Sequence, residues 1–151
     1  MRVAEQLSGG CLCGAVRYSI KPGFRMRPYA CHCTDCQSRT GTAFSEHMMF
    51  MLADLTIEGE LDEGHYLQPS GANSTIHGCA RCKSRIYATN DQRHGTGSLR
   101  CGTLDDSASL VPVAHVWIKS KQPWIGLPED AVMMEEQPRT PAEWMELVGP
   151  V

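Results

Sequence analysis

The sequence predicts a mainly β fold built from short strands, and three observations support that class. Apolar residues alternate with polar residues over short segments, which is the pattern of half-buried strands. The 151 residues include 14 glycines and 9 prolines, which are scattered along the chain and favour many turns. Helix signals are weak and confined to two short segments. Short strands at close intervals with few helices are typical of a β-rich domain.

The first strand signal is the segment AVRYSI at residues 15–20. Val16, Tyr18 and Ile20 share one face there, and KPG at 21–23 forms the turn that follows. Pro112 lies in the most apolar strand candidate and favours an edge position or the first residues of that strand. The further predicted strands are 44–52, 55–57, 74–77, 85–89 and 110–118.

Two short helices are expected. One turn of helix is predicted around 35–39. The segment TPAEWMEL offers Thr140 as the N-cap and Pro141 at the first helical position.

Composition excludes several classes of protein. A net charge of −3 and a pI near 6.0 lack the basic excess of a nucleic-acid-binding protein. No apolar run approaches the roughly 18 residues of a membrane span. The first ten residues, MRVAEQLSGG, lack the apolar stretch of a signal peptide, so we expect a reducing, cytoplasmic location. A length of 151 residues fits a single domain over 1–151.

The eight cysteines are grouped at spacings typical of metal ligands. Two outer pairs supply four sulfurs, enough for a closed tetrahedral zinc site. A central triplet supplies three and leaves a coordination position for water or substrate. The spacing therefore predicts two Zn²⁺ ions, one structural and one reactive. The outer pairs are Cys11 with Cys13 and Cys79 with Cys82, the triplet is Cys31, Cys33 and Cys36, and Cys101 is alone.

Disulfides and unligated buried thiols are the alternatives. The expected reducing compartment disfavours disulfides, and cysteines two residues apart rarely have the geometry that a disulfide needs. An extended backbone would place Cys11 and Cys13 on one face, with Gly14 allowing the turn that follows. Cys79 and Cys82 are predicted to lie on a hairpin turn.

The triplet favours chemistry at sulfur. Zinc with three thiolates carries a net charge of −1 and is a weaker Lewis acid than zinc bound by three imidazoles. His32 is the nearest residue that could close the site. Because His32 alternates away from Cys31 and Cys33, a packing or indirect supporting role is favoured for it.

Several motifs together resemble the glutathione-dependent formaldehyde-activating enzyme family (GFA domain), which includes centromere protein V. The motifs are GGCLCGAVRY, CHCTDCQSRTGTAF, GCARC, LRCGTLDD and HVWIKSKQPW. The resemblance covers about 8–124 and leaves 125–151 as a C-terminal tail. It implies a fold of several coiled antiparallel β-sheets joined by zinc. It also implies a structural zinc at Cys11, Cys13, Cys79 and Cys82, and a catalytic zinc at Cys31, Cys33 and Cys36.

The activity that the resemblance implies is that of a carbon–sulfur lyase. The substrates would be formaldehyde and glutathione, in equilibrium with S-hydroxymethylglutathione, or a related thiol and aldehyde. The alternative is a non-catalytic zinc module that carries glutathione or binds a protein partner, since no general base is identifiable in the sequence. Arg39 is the candidate for pairing with a glutathione carboxylate. Neither the oligomeric state nor the other glutathione contacts are specified by the sequence.

Two positions depart from the family pattern. Lys83 stands where the family usually has glycine, and a positive φ there would cost about 1 kcal/mol. Cys101 interrupts the LRCGTLDD segment and is predicted to be a buried thiol without a ligand role.

The remaining polar residues carry weaker expectations. His115 is expected to be a core histidine, with lining of a substrate pocket as the alternative. Asp105 and Asp106 fit either a turn or a paired carboxylate site. Isolated surface or core polar roles are expected for His47, His65, His77 and His94.

Overall fold

The computed structural model describes residues 5–150 and consists mainly of strands. Its two helices are α1 (Thr34–Thr40) and α2 (Pro141–Val148). The strands are β1 (Leu7–Gly10), β2 (Arg17–Ile20), β3 (Tyr29–Cys31), β4 (Ser45–Met51), β5 (Leu55–Glu58), β6 (Leu61–Leu67), β7 (Asn73–Cys79), β8 (Arg85–Asn90), β9 (Arg93–Arg100), β10 (Ala114–Val116) and β11 (Val132–Met133). The predicted fold class, mainly β with few helices, is confirmed.

The strands form two sheets. The smaller sheet is antiparallel, with the order β1-β2-β5. The larger sheet has eight strands in the order β11-β10-β3-β4-β9-β8-β7-β6. The six neighbouring strands β3-β4-β9-β8-β7-β6 pair antiparallel. In contrast, β10 pairs in parallel with both β3 and β11. Long connections separate these last strands in the sequence, which is what parallel pairing requires.

The main core joins the two sheets. Val16, Tyr18 and Ile20 are buried as the alternation predicts. They belong to one apolar cluster with Met48 and Phe50 from β4 of the larger sheet. Burial of apolar side chains from both sheets therefore holds them together.

A second core lies beneath the C-terminal segment. It contains Tyr29 from β3, Val116 from β10 and Val148 from α2, all buried. The ring of Trp144 lies 5.0 Å from the ring of Tyr29. Residues 125–151 were predicted as a tail beyond the core, yet α2 within this segment packs on the strand that leads to the triplet.

The strand predicted at 110–118 is too long. Only Ala114–Val116 pair in a sheet, and short 3₁₀ turns lie on either side at Ser107–Ser109 and Ile118–Ser120. Pro112 offers no backbone N–H to a sheet, so pairing begins after it. The predicted strands within 44–52, 55–57, 74–77 and 85–89 are confirmed as β4, β5, β7 and β8.

Candidate metal centres

The two outer cysteine pairs meet in one cluster, as their spacing predicts. Cys11 and Cys13 lie between β1 and β2, Cys79 ends β7, and Cys82 lies in the turn before β8. All four sulfur atoms lie within 4.8 Å of one another. We call this group the four-cysteine cluster.

The sulfur separations in the four-cysteine cluster suit zinc. The Cys11 and Cys13 Sγ atoms are 3.6 Å apart, and the Cys13 and Cys79 Sγ atoms are 3.8 Å apart. A tetrahedral zinc ion with Zn–S bonds of about 2.3 Å requires sulfur–sulfur distances of about 3.8 Å. The donor set therefore fits a closed zinc site.

The first pair lies in a tight turn, so the predicted extended backbone is wrong. The Gly14 N–H donates to the Cys11 carbonyl over 3.2 Å, and Gly14 has a φ of 79°. Leu12 projects into solvent between the two cysteines, with 91% of its surface exposed. The Val16 N–H donates to Cys11 Sγ over 3.2 Å. The turn, rather than strand alternation, directs both sulfurs to the same point.

The second pair lies on the predicted hairpin turn. The N–H groups of Arg81 and Cys82 both donate to Cys79 Sγ, each over 3.4 Å. The Lys83 N–H donates to the Cys79 carbonyl over 2.9 Å, and Lys83 has a φ of 64°. Lys83 therefore has the left-handed backbone for which the sequence analysis gave a cost of about 1 kcal/mol.

The triplet forms a second cluster at the end of β3. Its three sulfur atoms also lie within 4.8 Å of one another. Cys31 ends β3, Cys33 is the N-cap of α1, and Cys36 lies in the first turn of that helix. The Cys36 N–H donates to Cys33 Sγ over 3.3 Å. Hydrogen bonds from Cys31 and Cys36 lower the pKa of Cys33, so a negative charge is favoured on the Cys33 sulfur.

His32 has a packing role and lies outside the triplet. It is fully buried, and its Nε2 lies 2.9 Å from Nδ1 of His115. The ring of Phe44 packs against His32 with a centroid distance of 5.2 Å. His115 is buried and hydrogen-bonded, so the expectation of a satisfied core histidine is confirmed.

His47 lies beside the triplet and has a buried polar role, one of the two roles expected for it. Its Nε2 is 3.9 Å from Cys36 Sγ, and its Nδ1 is 2.9 Å from Nη1 of Arg100. Only 8% of its surface is exposed, and its ring stacks on Tyr29 at 5.2 Å. Burial, followed by the charge of Arg100, holds the pKa of His47 well below its usual value. These contacts depend on the pairing of β3, β4 and β9, which no local pattern reveals.

A basic region borders the triplet. The Arg39 guanidinium lies 4.6 Å from the ring centre of Tyr66, whose hydroxyl donates to Asp35 on α1. This hydrogen bond raises the pKa of Tyr66 to about 12. Burial, and then the charge of Arg39, lowers the pKa of Arg85, while the charge of Cys36 opposes the shift. The charges of both Arg39 and Cys36 therefore reach Arg85.

Two other sequence expectations are decided by contacts elsewhere. Arg17 donates to both carboxylate oxygens of Asp105, over 2.8 and 2.5 Å, so Asp105 belongs to an ion pair. Asp106 begins a 3₁₀ turn, which agrees with the turn interpretation of this pair.

Cys101 is 1% exposed and lies in the main core, and its burial as a free thiol is confirmed.

A β fold that gathers four and three cysteine sulfurs at separate points defines a candidate metal protein. The sequence profile of the glutathione-dependent formaldehyde-activating enzyme family matches residues 6–120. The chain therefore belongs to this family. No curated protein matches the chain significantly.

A solved structure agrees with the fold. The crystal structure of a Rhodobacter sphaeroides protein is similar with a TM-score of 0.50 and 18% sequence identity. The alignment covers 70% of this chain and 97% of that chain.

Neither helix between residues 5 and 150 has the length and apolar character needed to cross a membrane.

Proposed function

We propose that the protein is a zinc-dependent carbon–sulfur lyase acting on a glutathione–aldehyde adduct. The adduct would be S-hydroxymethylglutathione, formed from formaldehyde and glutathione, or that of a related thiol and aldehyde. The triplet is the observation that carries the proposal. Its three sulfurs lie within 4.8 Å of one another, and the group contains no fourth ligand among the described residues.

Two zinc ions are part of this proposal. The four-cysteine cluster would hold a structural ion, and Cys31, Cys33 and Cys36 would hold the second. Zinc at the triplet would supply a coordination position that favours a soft donor such as thiol sulfur. None of the eight cysteines forms a disulfide, which suits a reducing compartment such as the cytoplasm.

The reaction needs no change of oxidation state. In the direction of synthesis, a carbon–sulfur bond forms between the thiol sulfur and the aldehyde carbon. The thiol proton passes to the aldehyde oxygen, which becomes a hydroxyl group, and breakdown reverses both events. The protein therefore has to bind and orient a thiol and an aldehyde, and no redox partner is required.

Arg39 and Arg85 are proposed to bind the carboxylates of glutathione. Neither guanidinium forms an ion pair with a carboxylate within residues 5–150. Nη1 of Arg85 is buried and has no hydrogen-bond partner in that part of the chain. A guanidinium binds a carboxylate through two parallel hydrogen bonds. The carboxylates of a thiol such as glutathione would therefore supply the missing partners.

The arginine assignment is tested by comparing two thiols. Arg39→Met and Arg85→Met should each weaken glutathione binding roughly tenfold or more, because each removes a charge-assisted hydrogen bond. Binding of 2-mercaptoethanol, which has no carboxylate, should be unchanged in both variants. Arg81→Met is the control, because Arg81 is exposed beside the four-cysteine cluster. Equal losses for the two thiols would remove these arginines from the proposed site.

The lyase proposal is tested by metal content and by exchange rate. Protein purified without chelators should contain two zinc ions per chain, and Cys33→Ser should contain one. Exchange between formaldehyde, glutathione and S-hydroxymethylglutathione, followed by magnetization-transfer NMR, should be faster with the wild-type protein than with Cys33→Ser. Equal rates with both proteins would contradict the lyase proposal.

A non-catalytic zinc module is the second candidate. Formaldehyde adds to glutathione without a catalyst, so a protein that only carries the thiol would suit the same triplet and arginines. Such a protein would bind glutathione and leave the exchange rate at its uncatalysed value. The exchange measurement therefore separates the two candidates.

A further inference from the structure

We infer that His47 is a positioning residue that donates an Nε2–H hydrogen bond to the Cys36 sulfur and so strengthens metal binding at the triplet. This inference rests on the proposed metal site, and it assigns a role to a side chain that is not itself one of the cysteine ligands.

Arg100 determines which nitrogen of His47 carries the proton. A guanidinium can only donate hydrogen bonds, and Nη1 of Arg100 lies 2.9 Å from Nδ1 of His47. Nδ1 must therefore accept. The Ser98 hydroxyl, 3.0 Å from the same nitrogen, can also donate to it. A neutral imidazole with an accepting Nδ1 carries its proton on Nε2.

The protonated nitrogen faces the triplet. Nε2 lies 3.9 Å from Cys36 Sγ, within the range of a hydrogen bond to sulfur. The ring of His47 stacks on Tyr29, and His47 on β4 pairs with Arg100 on β9. These two contacts fix the orientation of the ring. The donor is thus held in place by groups outside the cluster, as is common for residues that support metal ligands.

The hydrogen bond changes the ligand in two ways. An N–H donor held in place by groups outside the cluster fixes the position of the Cys36 sulfur, which would favour metal binding. It also draws electron density away from the sulfur, so Cys36 would donate less charge to a bound metal than an unsupported thiolate would. Of the three cysteines, Cys36 is the one whose sulfur receives this side-chain donor among the described residues.

Two substitutions at His47 separate hydrogen bonding from packing. His47→Gln keeps an amide N–H that can reach Cys36, whereas His47→Leu keeps bulk and has no donor. His47→Leu should lose metal affinity at the triplet roughly tenfold to a hundredfold, measured by chelator competition. His47→Gln should stay within a few-fold of wild type. His77→Leu is the control, because His77 lies near Thr89 and Glu63 rather than a cysteine.

Cobalt substitution and NMR provide readouts independent of activity. The sulfur-to-cobalt charge-transfer band that is lost in Cys36→Ser should shift in His47→Leu and return toward its wild-type position in His47→Gln. Histidine ¹⁵N spectra of the zinc-loaded protein should show Nε2 of His47 protonated and Nδ1 unprotonated.

The outcomes distinguish this inference from the proposed function. A wild-type chain that binds no metal at the triplet would overturn both. If the wild-type chain binds two metals, either of two results would overturn the inference alone. The first is full metal affinity in His47→Leu, and the second is a proton on Nδ1 of His47. Equal losses in His47→Leu and His47→Gln would also overturn it, because packing would then explain the effect.

Discussion

Lys83 occupies a left-handed backbone position in the turn that carries Cys79 and Cys82. Its φ of 64° costs an L-residue free energy that glycine avoids. Its side chain forms an exposed ion pair with Asp62, which contributes little to stability. The backbone conformation is therefore the main consequence of having lysine at this position.

Replacing Lys83 should reveal that backbone cost. Lys83→Gly should be more stable than Lys83→Ala by about 1 kcal/mol, because both remove the ion pair and only glycine relieves the left-handed φ. Urea unfolding of the zinc-loaded proteins measures the difference. An alanine variant as stable as the glycine variant would contradict the account of this turn.

Cys101 should behave differently from the other seven cysteines. It is buried in the main core and lies outside both cysteine clusters. Cys101→Ala should reduce the free energy of unfolding by about 1 kcal/mol through lost packing, and the metal content should stay the same. Loss of a metal ion in this variant, by elemental analysis, would show that the ligand sets are wrong.

At the scale of single residues, the sequence predicted what short spacing encodes. The seven clustered cysteines were identifiable because their spacing along the chain defines their roles, and Lys83 because it departs from the family pattern. His47 and Arg85 were not, since their partners come from other strands or α1. Side chains that meet only through sheet pairing leave no periodic or motif signal in one sequence.

At the scale of elements, α2 links the C-terminal segment to the triplet. Its N-cap Thr140 accepts a hydrogen bond from the Glu143 N–H over 3.2 Å, and Glu143 accepts in return from the Thr140 N–H. Trp144 and Val148 then pack in the cluster that includes Cys31. The helix therefore covers the strand that leads into the triplet.

Loss of this helix cap should be measurable. Thr140→Ala should lower the free energy of unfolding by about 1 kcal/mol, because it leaves an N-terminal N–H of the helix without its partner. Glu146→Ala, at an exposed site in the same helix, should change it by less than about 0.5 kcal/mol. Thermal unfolding checks both values, and equal effects would mean that the cap does not stabilise α2.

The elements that the sequence predicted are those with a strong local pattern. Alternation identified β2, and Thr140 with Pro141 identified α2. β9, with the sequence RHGTGSLR, has glycines and polar residues where alternation would be expected, so it gave no signal. β3 and β11 are too short to show a period, and their pairing depends on the larger sheet.

At the scale of the whole molecule, the four-cysteine cluster connects the two sheets. It joins the β1–β2 turn of the smaller sheet to the β7–β8 hairpin of the larger one. The triplet instead draws its sulfur atoms from one short segment, residues 31–36. A metal at the first cluster would constrain distant parts of the chain, and a metal at the second would constrain only a local turn.

The two clusters should therefore respond differently to the loss of one ligand. Cys79→Ser should cost several kcal/mol of stability and give poorly folded protein, because it weakens the link between the sheets. Cys33→Ser should lose one metal ion and leave the fold largely intact. Circular dichroism and unfolding curves compare the two variants, and equal destabilisation would refute the division of roles.

The proposed function requires that a metal at Cys31, Cys33 and Cys36 bind the thiol of glutathione. Titration of the cobalt-substituted protein with glutathione tests it most directly, since the sulfur-to-cobalt charge-transfer band reports the number of sulfur ligands. In the wild type, the band should grow stronger on addition of glutathione and saturate by millimolar concentrations. In Cys36→Ser, glutathione should cause no increase. An unchanged wild-type band at millimolar glutathione would contradict thiol binding at this metal.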